Sequence, residues 1–547
     1  MTHDRIAEPY RRHPIREQYD AIVIGSGIGG LAAAALLGKH GRRRVLVLER
    51  HYAIGGFTHV FRRPEYEWDV GLHYIGDTAP GGFVRALFDE ITDGTLEWED
   101  MGPVYERVFL GDRAYDFPRG ETALRQRLCT EFPKETGAID RYLVLIHKAV
   151  AAMHEFLATK AYPRLVAAVL KPLARRRFFE LSDRTTRAVL ESLTSDQRLI
   201  GVLTSQFPDY GLPPAESSFA VHALIVDHYL EGGAYPVGGA ARIAETIAPV
   251  IRASGGELLS NAEVAEIVVE GRRAVGVRMA ADGAVLRAPL IISDAGVMNT
   301  FGRLLPTAVA ERAGLRAALE GLEPSTAHAC LYVGLKRTAA DLGLERTNLW
   351  VYPDEHHERT MARAAADPEA LPPVYISFPS AKDPDFERRY PGRSTIDVAT
   401  FLPYARFASW QDTRWHKRGP EYEAAKQALT DRLLEVLYQR VPATRGAVDV
   451  AELSTPLSTR HFAAHPQGEI YGVSHTPARF RNPALRPQTP IPGLLLTGAD
   501  IVTGGVSGAM IGGALCASTI LRRNLVAAIG RHRASAGVPV PAAARGR

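Results

Sequence analysis

Three glycines near the start of the sequence are spaced as in a phosphate-binding loop. Gly25, Gly27 and Gly30 follow an apolar run at residues 20–24 and precede an Ala/Leu-rich stretch that begins at Leu31. The first glycine permits a tight turn, the second lets the backbone approach a pyrophosphate, and the third lets helix and strand pack closely. Because a helix N-terminus attracts anions, this order of strand, loop and helix predicts a dinucleotide site.

An acidic residue ends the next apolar run. Residues 45–48 read as a buried strand, and Glu49 follows them about twenty residues after Gly30, where a carboxylate accepts hydrogen bonds from the ribose hydroxyls of the adenosine. A carboxylate at this place disfavours a ribose that carries a 2′-phosphate. The sequence therefore predicts a Rossmann-type domain and an α/β fold class.

Further bare backbone favours an extended cofactor. Gly55 and Gly56 follow Glu49 closely, and residues without side chains allow FAD to pass beside the chain. Val264 lies in a strand-rich stretch, where backbone groups are expected to contact the adenine. No second strand–GxGxxG–helix unit follows, so the sequence predicts no built-in nicotinamide domain. Electrons are then expected to come from NAD(P)H or another external donor.

A strand and a glycine-rich segment near the other end complete the FAD prediction. Residues 494–496 are an apolar strand that leads to Asp500, which is expected to bind the ribityl hydroxyls. Gly505 and Ser507 then open a helix whose N-terminus is expected to stabilise negative charge on the flavin. Residues 501–521 carry no charge and are long enough to span a bilayer. The glycines near their start favour a buried helix instead.

The signatures of the nucleotide domain recur along the chain, which predicts two interleaved lobes. The FAD-binding domain is assigned to residues 17–75, 231–300 and 485–530, and a mixed α+β substrate-binding lobe to residues 76–230 and 301–484. Residues 1–18 read as a polar arm and residues 531–547 as a mobile tail. Residues 151–190 mix apolar and basic positions, which fits either a helix on an anionic membrane surface or a solvated cap helix.

Composition narrows the classes of partner. The chain has 547 residues, 46% of them apolar, and a net charge of +4, which is too small for a nucleic-acid-binding surface. Its three cysteines lie far apart and show no metal-binding spacing, so neither a metal nor a disulfide framework is expected. The first twenty residues lack the apolar stretch of a signal peptide. The predicted location is the cytoplasm, and peripheral association with the inner face of the membrane is left open as an alternative.

The chain resembles the retinol saturase group of the phytoene desaturase and carotenoid isomerase flavoproteins, over about residues 19–525. The resemblance rests on EWDVGLHYIG at residues 67–76, the FPDYGLPP run at 207–239, ISDAGVMNTFGRLLP at 292–306, GEIYGVSH at 468–475 and GLLLTGAD onwards at 493–521. It implies non-covalent FAD and a hydrophobic substrate such as a retinoid, a carotenoid or an unsaturated fatty acid. One departure is that Phe57 and Thr58 follow Gly56, where vertebrate retinol saturases are expected to carry small or cysteine residues, so substrate fit need not be identical.

The resemblance implies saturation of a carbon–carbon double bond, and other outcomes stay open. Desaturation or cis-trans isomerisation of a carotenoid or fatty acid, an amine oxidase activity, and a non-enzymatic prenyl-lipid carrier of the Rab escort type share this fold. Intact cofactor residues argue against the carrier. The candidate proton donors, or residues that orient a polar head group, are His73, Tyr74, Tyr471 and His475, because their motifs flank flavin-binding elements.

Overall fold

The computed structural model of the protein describes residues 6–12, 18–161 and 164–535. Its strands, in chain order, are β1 (Glu8–Pro9), β2 (Ala21–Ile24), β3 (Val45–Leu48), β4 (Val60–Arg63), β5 (Tyr66–Asp69), β6 (Ile75–Gly76), β7 (Trp98–Asp100), β8 (Val104–Leu110), β9 (Arg113–Pro118), β10 (Gly233–Pro236), β11 (Glu257–Ser260), β12 (Val264–Glu270), β13 (Arg273–Met279), β14 (Val285–Arg287), β15 (Ile291–Ser293), β16 (His328–Leu335), β17 (Asn348–Tyr352), β18 (Val374–Ser377), β19 (Ser394–Phe401), β20 (Val448–Ser454) and β21 (Leu494–Leu496).

The α-helices, in chain order, are α1 (Ile28–Gly41), α2 (Phe83–Thr92), α3 (Glu121–Glu131), α4 (Thr136–Ala161), α5 (Arg164–Ser182), α6 (Thr186–Glu191), α7 (Gln197–Leu203), α8 (Phe219–Tyr229), α9 (Ala241–Ala253), α10 (Val297–Asn299), α11 (Thr307–Arg312), α12 (His357–Ala366), α13 (Pro379–Lys382), α14 (Phe386–Arg389), α15 (Pro420–Arg440), α16 (Pro456–Ala463), α17 (Pro477–Arg481), α18 (Gly505–Leu521) and α19 (Leu525–Ser535).

A six-stranded parallel sheet forms the dinucleotide lobe, in the order β1-β11-β3-β2-β15-β21. Strands β2, β3, β15 and β21 are buried along their whole length, as expected for parallel strands covered on both faces. The strands come from three separate parts of the chain. The predicted Rossmann-type α/β fold is therefore confirmed, and the finer domain boundaries stay a prediction.

Glycines let helices α1 and α18 approach the ends of this sheet. A Cβ atom on Gly513 of α18 would lie 2.5 Å from the Gly29 carbonyl oxygen, and one on Gly512 would lie 2.4 Å from the Gly498 carbonyl oxygen. Real side chains do not make contacts this short, so the packing requires glycine at both positions. The charge-free segment predicted as a buried helix is thus the helix that holds the cofactor loops in place.

A seven-stranded mixed sheet forms the second lobe, in the order β20-β16-β19-β18-β17-β8-β9. All neighbours in it are antiparallel except β17 and β8. Alternate residues of β16 face opposite sides. Leu331 and Val333 enter a core with α15, whereas Cys330 and Tyr332 face the other side of the sheet. Helices α4 to α8 contribute to the large core that also contains Trp350 and Tyr375.

Both chain ends depart from the predicted arm and tail. In the arm, β1 pairs in parallel with β11 and so extends the dinucleotide sheet by one short strand. At the other end, α19 continues to Ser535, and residues 536–547 of the predicted tail lie outside the described residues.

No single helix in the described ranges is long and apolar enough to cross a membrane. One bent pair, Gly505–Leu521 with Leu525–Arg531, passes the same test of length and composition, but its two helices meet at 115°.

Candidate functional site

One continuous cavity of about 680 Å³ joins the two lobes. Its cofactor end is lined by the loops after β2, β3 and β21, and its other end lies against the mixed sheet. It lies at the carboxyl ends of the parallel strands, where open α/β sheets bind their ligands. Eight of the predicted cofactor residues line it, namely Gly25, Gly27, Glu49, Gly55, Gly56, Val264, Asp500 and Gly505.

The glycine-rich loop is closed from behind by a residue that the sequence analysis did not select. A Cβ on Gly27 would lie 2.5 Å from Asp294 Oδ2, and one on Gly30 would lie 2.5 Å from the Gly25 carbonyl oxygen. Burial raises the pKa of Asp294 to about 8, against the opposing effect of hydrogen bonds from the Gly30 and Gly27 N–H groups. Asp294 is therefore mainly neutral near pH 7, which leaves the positive end of α1 available to an anionic pyrophosphate.

Glu49 is held at the cavity wall by three short-range hydrogen bonds. Its Oε2 accepts from the Ser26 N–H at 2.9 Å and from Ser26 Oγ at 2.7 Å, and its Oε1 accepts from the His51 N–H at 2.7 Å. These donors fix the orientation of the carboxylate. A carboxylate fixed at the end of the second parallel strand fits the ribose of FAD.

The N-terminus of α18 provides the second end of a cofactor site. Gly504 precedes the helix without a side-chain cap, and a Cβ on Gly505, at φ +80°, would meet nothing within 4 Å. The first-turn N–H groups of such a helix carry partial positive charge. Helices α1 and α18 thus open onto one cavity, an arrangement that fits the pyrophosphate and the flavin ring of FAD.

The predicted cofactor residues Asp500 and Ser507 differ in how they relate to the cavity. Asp500 lines the cavity, but its Oδ2 accepts from the Val297 N–H at 2.7 Å and its Oδ1 from the Val473 N–H at 2.9 Å. It ties three loops together, and its contact with the ribityl chain stays a prediction. Ser507 is not among the residues that line the cavity, whereas Val506 and Ala509 are.

The two candidates from the GEIYGVSH run separate in the structure. Tyr471 lines the cavity. His475 does not, because its Nε2 accepts from the Gly504 N–H at 2.7 Å and its Nδ1 lies 3.1 Å from the Tyr210 carbonyl oxygen. With both ring nitrogens engaged and its pKa held well below the usual value by burial, His475 orients the start of α18 and has no free proton to donate.

Aromatic side chains cover the other end of the cavity. The alternation of the strands places Trp350 and Tyr375 on its wall, with ring centroids 4.3 Å apart. The cavity is also lined by Phe57, Phe61, His328, Cys330, Tyr332, Phe401 and Phe462. A wall of aromatic side chains of this kind fits a hydrophobic substrate.

His73 lies on this wall beside a buried polar group. Its Nδ1 is 3.4 Å from Asp397 Oδ2, but burial lowers the pKa of His73 to about 3 and raises the pKa of Asp397 to about 8. Both are therefore mainly uncharged near pH 7. Next to them, Lys382 Nζ donates to the His73 carbonyl oxygen at 2.9 Å, to Ser377 Oγ at 2.7 Å and to Asn348 Oδ1.

Tyr74 joins two carboxyl groups that the sequence analysis did not select. Its hydroxyl donates to Glu106 Oε1 and lies 3.2 Å from Asp209 Oδ2. Glu106 is completely buried, and Asp209 lines the cavity. Burial raises the pKa of both carboxyl groups, and the neighbouring Glu106 raises that of Asp209 further.

These missed residues left weak signals in the sequence. Asp209 stands in the FPDYG run at residues 207–211, which the analysis used only for the family resemblance. Glu106 lies in β8 and Lys382 at the end of α13, in segments that carry no motif. Glu106 and Lys382 come near each other through Asn348, which pairs with Glu106 across β17 and β8 and accepts a hydrogen bond from Lys382. The spacing of residues in the sequence does not reveal this register.

Comparisons with known proteins agree with this geometry. Residues 23–91 match the family model of the NAD(P)-binding Rossmann-like domain. The chain is 36% identical over 539 residues to the all-trans-retinol 13,14-reductase of Homo sapiens, covering 95% of this chain and 88% of that protein. It is 26% identical over 518 residues to a neurosporene-forming phytoene desaturase of Cereibacter sphaeroides, covering 92% and 94% of the two chains.

A solved structure with the same fold is the cyclohexylamine oxidase of Brevibacterium oxydans IH-35A, with a TM-score of 0.57, 18% sequence identity and coverage of 94% and 99% of the two chains. The Rossmann-type lobe, the two helix ends and the shared cavity define this protein as an FAD-dependent oxidoreductase. Within that class, the chain belongs to the all-trans-retinol 13,14-reductase family.

Proposed function

We propose that the protein reduces one carbon–carbon double bond of a retinoid or a similar polyene, with FAD as the redox cofactor. The observation that carries the proposal is the single cavity that continues from the cofactor loops to the aromatic wall. Family membership supports the substrate class, because its curated relatives are named for retinol reduction.

FAD supplies an electron pair as hydride when it is bound and reduced. The chain's own residues hold the cofactor through Glu49 and the first turns of α1 and α18. The residues of the aromatic wall exclude water and align the polyene, with Trp350 and Tyr375 as the central pair. His73 and Tyr471 also line the cavity, and their neutral polar groups are available to orient a polar end of the substrate.

An anaerobic reaction tests this function. The FAD-loaded protein, either oxidised or chemically reduced, is mixed with all-trans-retinol, a carotenoid or an unsaturated fatty acid, and the product mass is measured. We expect the reduced protein to add two hydrogens to retinol while its flavin becomes oxidised. Loss of two hydrogens with the oxidised protein would establish a desaturase, and a changed retention time without a mass change an isomerase. An inert flavin with all three lipids would refute the proposal.

An external reductant is proposed to supply the electrons. The described residues contain one parallel sheet of the dinucleotide type, with its three-segment arrangement of strands. We therefore place the donor outside the chain, with NADPH and NADH as first choices. Anaerobic mixing of the FAD-loaded protein with each nucleotide should bleach the flavin absorbance. If neither does so and dithionite does, the donor is a different reductant.

Contact with a lipid surface is proposed to deliver the substrate. In α5, Leu173 is 61% exposed, and Arg176 and Arg177 beside it are also exposed. An apolar side chain flanked by cations suits an anionic membrane surface. We expect the protein to sediment with phosphatidylserine vesicles more than with phosphatidylcholine vesicles, and Leu173→Asp to weaken this. Equal sedimentation of wild type and variant would remove the assignment.

A further inference from the structure

We propose that Asp209 is the acid that protonates the substrate, and that Tyr74 and Glu106 keep it protonated. This inference rests on the proposed reduction of a double bond. It selects a proton donor that the sequence analysis did not consider, because the FPDYG run carries no local catalytic motif.

The number of available hydrogens decides which carboxyl group is charged. Tyr74 has one hydroxyl hydrogen, yet its oxygen lies next to Glu106 and Asp209 together. The hydrogen cannot serve two carboxylates, so one contact requires a protonated acid that donates to the Tyr74 oxygen.

Glu106 is the group with the donors. Trp350 Nε1 donates to its Oε1 at 2.9 Å and Gln206 Nε2 donates to its Oε2 at 2.7 Å, in addition to the Tyr74 hydroxyl. Hydrogen bonds of this kind stabilise the ionised form of a buried carboxyl group. Within the described residues, the side chain of Asp209 has one hydrogen bond to another side chain, the contact with Tyr74. Glu106 is therefore the anion, and the proton is on Asp209.

The positions of the two groups match different roles. Glu106 is 0% exposed and is not among the residues lining the cavity, whereas Asp209 and Tyr74 are. Two carboxyl groups this close do not both ionise in a buried site, because like charges repel strongly there. The charge on Glu106 therefore keeps a neutral carboxylic acid at the cavity wall near pH 7.

The proton step balances with the reduction of the double bond. As the π bond breaks, one alkene carbon gains the hydride that reduced FAD supplies, and the other forms its C–H bond with the proton of Asp209. The alkene is reduced and the flavin is oxidised. The Asp209 carboxylate that remains accepts the hydrogen bond of Tyr74 until a proton from solvent restores the acid.

Infrared spectroscopy tests the proton assignment without any turnover. At pH 7, the spectrum of wild type minus Asp209→Asn should contain the C=O stretch of a carboxylic acid. In Glu106→Gln this stretch should weaken, because loss of the Glu106 charge lowers the pKa of Asp209. Subtraction is needed because Asp294 and Asp397 are further buried acids with raised pKa values. Carboxylate bands in the Asp209 difference spectrum would overturn the assignment.

Single-turnover kinetics test the chemical role. The reduced, FAD-loaded protein is mixed with all-trans-retinol in D₂O, and flavin oxidation and deuterium in the product are followed. Removing a general acid costs about 10²- to 10⁴-fold in rate, so we expect this loss in Asp209→Asn and Asp209→Ala. Asp209→Glu should recover part of it. Asp140→Asn, which changes a half-exposed surface carboxylate paired with Arg125, is the matched control.

The outcomes separate this inference from the proposed function. If the wild type does not reduce retinol, the proposed function fails. If the wild type does so and both variants without the acid keep its rate and bind FAD normally, Asp209 is not the proton donor. A slow Asp209→Asn protein with full FAD content and a partly restored rate in Asp209→Glu, with solvent deuterium in the wild-type product, supports the inference.

Discussion

The close contact between α1 and α18 is tested by a glycine-to-alanine substitution inside it, with the same substitution in α19 as the control. In Gly513→Ala, the new Cβ would lie 2.5 Å from the Gly29 carbonyl oxygen and 2.8 Å from the Ala32 Cβ. In Gly530→Ala, in α19, the nearest atom is a Phe83 ring carbon at 3.8 Å, an ordinary contact. Both glycines lie inside helices.

The expected difference in stability comes from one contribution that both variants share and one that applies only to Gly513→Ala. Alanine in a helix interior stabilises by roughly 0.5–1 kcal/mol relative to glycine, and this applies to both. Overpacking costs about 1–3 kcal/mol and applies only to Gly513→Ala. We expect the upper half of that range, because the atoms nearest the new methyl group include the backbone of the phosphate-binding loop and cannot rotate away.

Urea unfolding followed by tryptophan fluorescence measures the stability difference, and the ratio of flavin to protein absorbance measures cofactor content. Gly530→Ala should be at least as stable as the wild type and should retain its FAD. Gly513→Ala should unfold at lower urea concentration and lose FAD, because the methyl group displaces Gly29 beside the loop. Equal midpoints and equal FAD content in the two variants would refute the packing argument.

Three more predictions concern cofactor, charge and pH. Gly27→Asp should lower FAD content, because even a Cβ atom at this position would lie 2.5 Å from Asp294 Oδ2. Asp500→Ala should also lower it, because the Val297 and Val473 N–H groups lose their acceptor. Flavin absorbance measures the FAD content of both variants. Lys382→Met should lower the free energy of unfolding by about 1–3 kcal/mol, because it leaves the buried acceptors of His73, Ser377 and Asn348 without their donor. Exposed Lys336→Met should change it by about 1 kcal/mol or less. Burial lowers the pKa of His222 to about 3, so below about pH 6.5 the unfolded chain binds a proton at this residue that the folded chain does not. The free energy of unfolding should therefore fall by about 2 kcal/mol between pH 6.5 and 5 through this residue. Urea unfolding of His222→Asn should show a smaller loss over the same pH range.

Each of these has a contrary result. Unchanged FAD content in Gly27→Asp would show that the pyrophosphate does not bind at this loop. Equal stability losses in Lys382→Met and Lys336→Met would mean that the buried hydrogen bonds of Lys382 do not contribute to stability. The same acid slope with and without His222 would assign the loss to other groups.

The cofactor end of the site was predictable because its geometry is local. Gly25 and Gly27 lie in the turn between β2 and α1, Gly30 lies in the first turn of α1, and Glu49 follows β3. A short stretch of sequence therefore contains both the residues and the spacing that positions them. The position of Gly505 at a helix start was predictable for the same reason.

The proton-transfer end was not predictable, because it depends on how distant strands align. Glu106 meets Trp350 through the pairing of β8 with β17, and Asp209 reaches Tyr74 from the segment between α7 and α8. Direction matters as well as proximity. His475 is next to the start of α18, but its ring nitrogens are engaged by the Gly504 N–H and the Tyr210 carbonyl oxygen.

The three-part origin of the parallel sheet has a consequence for synthesis of the chain. Strand β15 is bordered by β2 on one side and by β21 on the other, and β21 ends only at Leu496. During translation the phosphate-binding loop is made long before β21, which lies two strands away from β2, and before α18, which packs on α1. Contacts over such sequence separations form slowly. The sheet therefore stays incomplete until β21 has been synthesised, and a cofactor site that needs the first turn of α18 can form only after that.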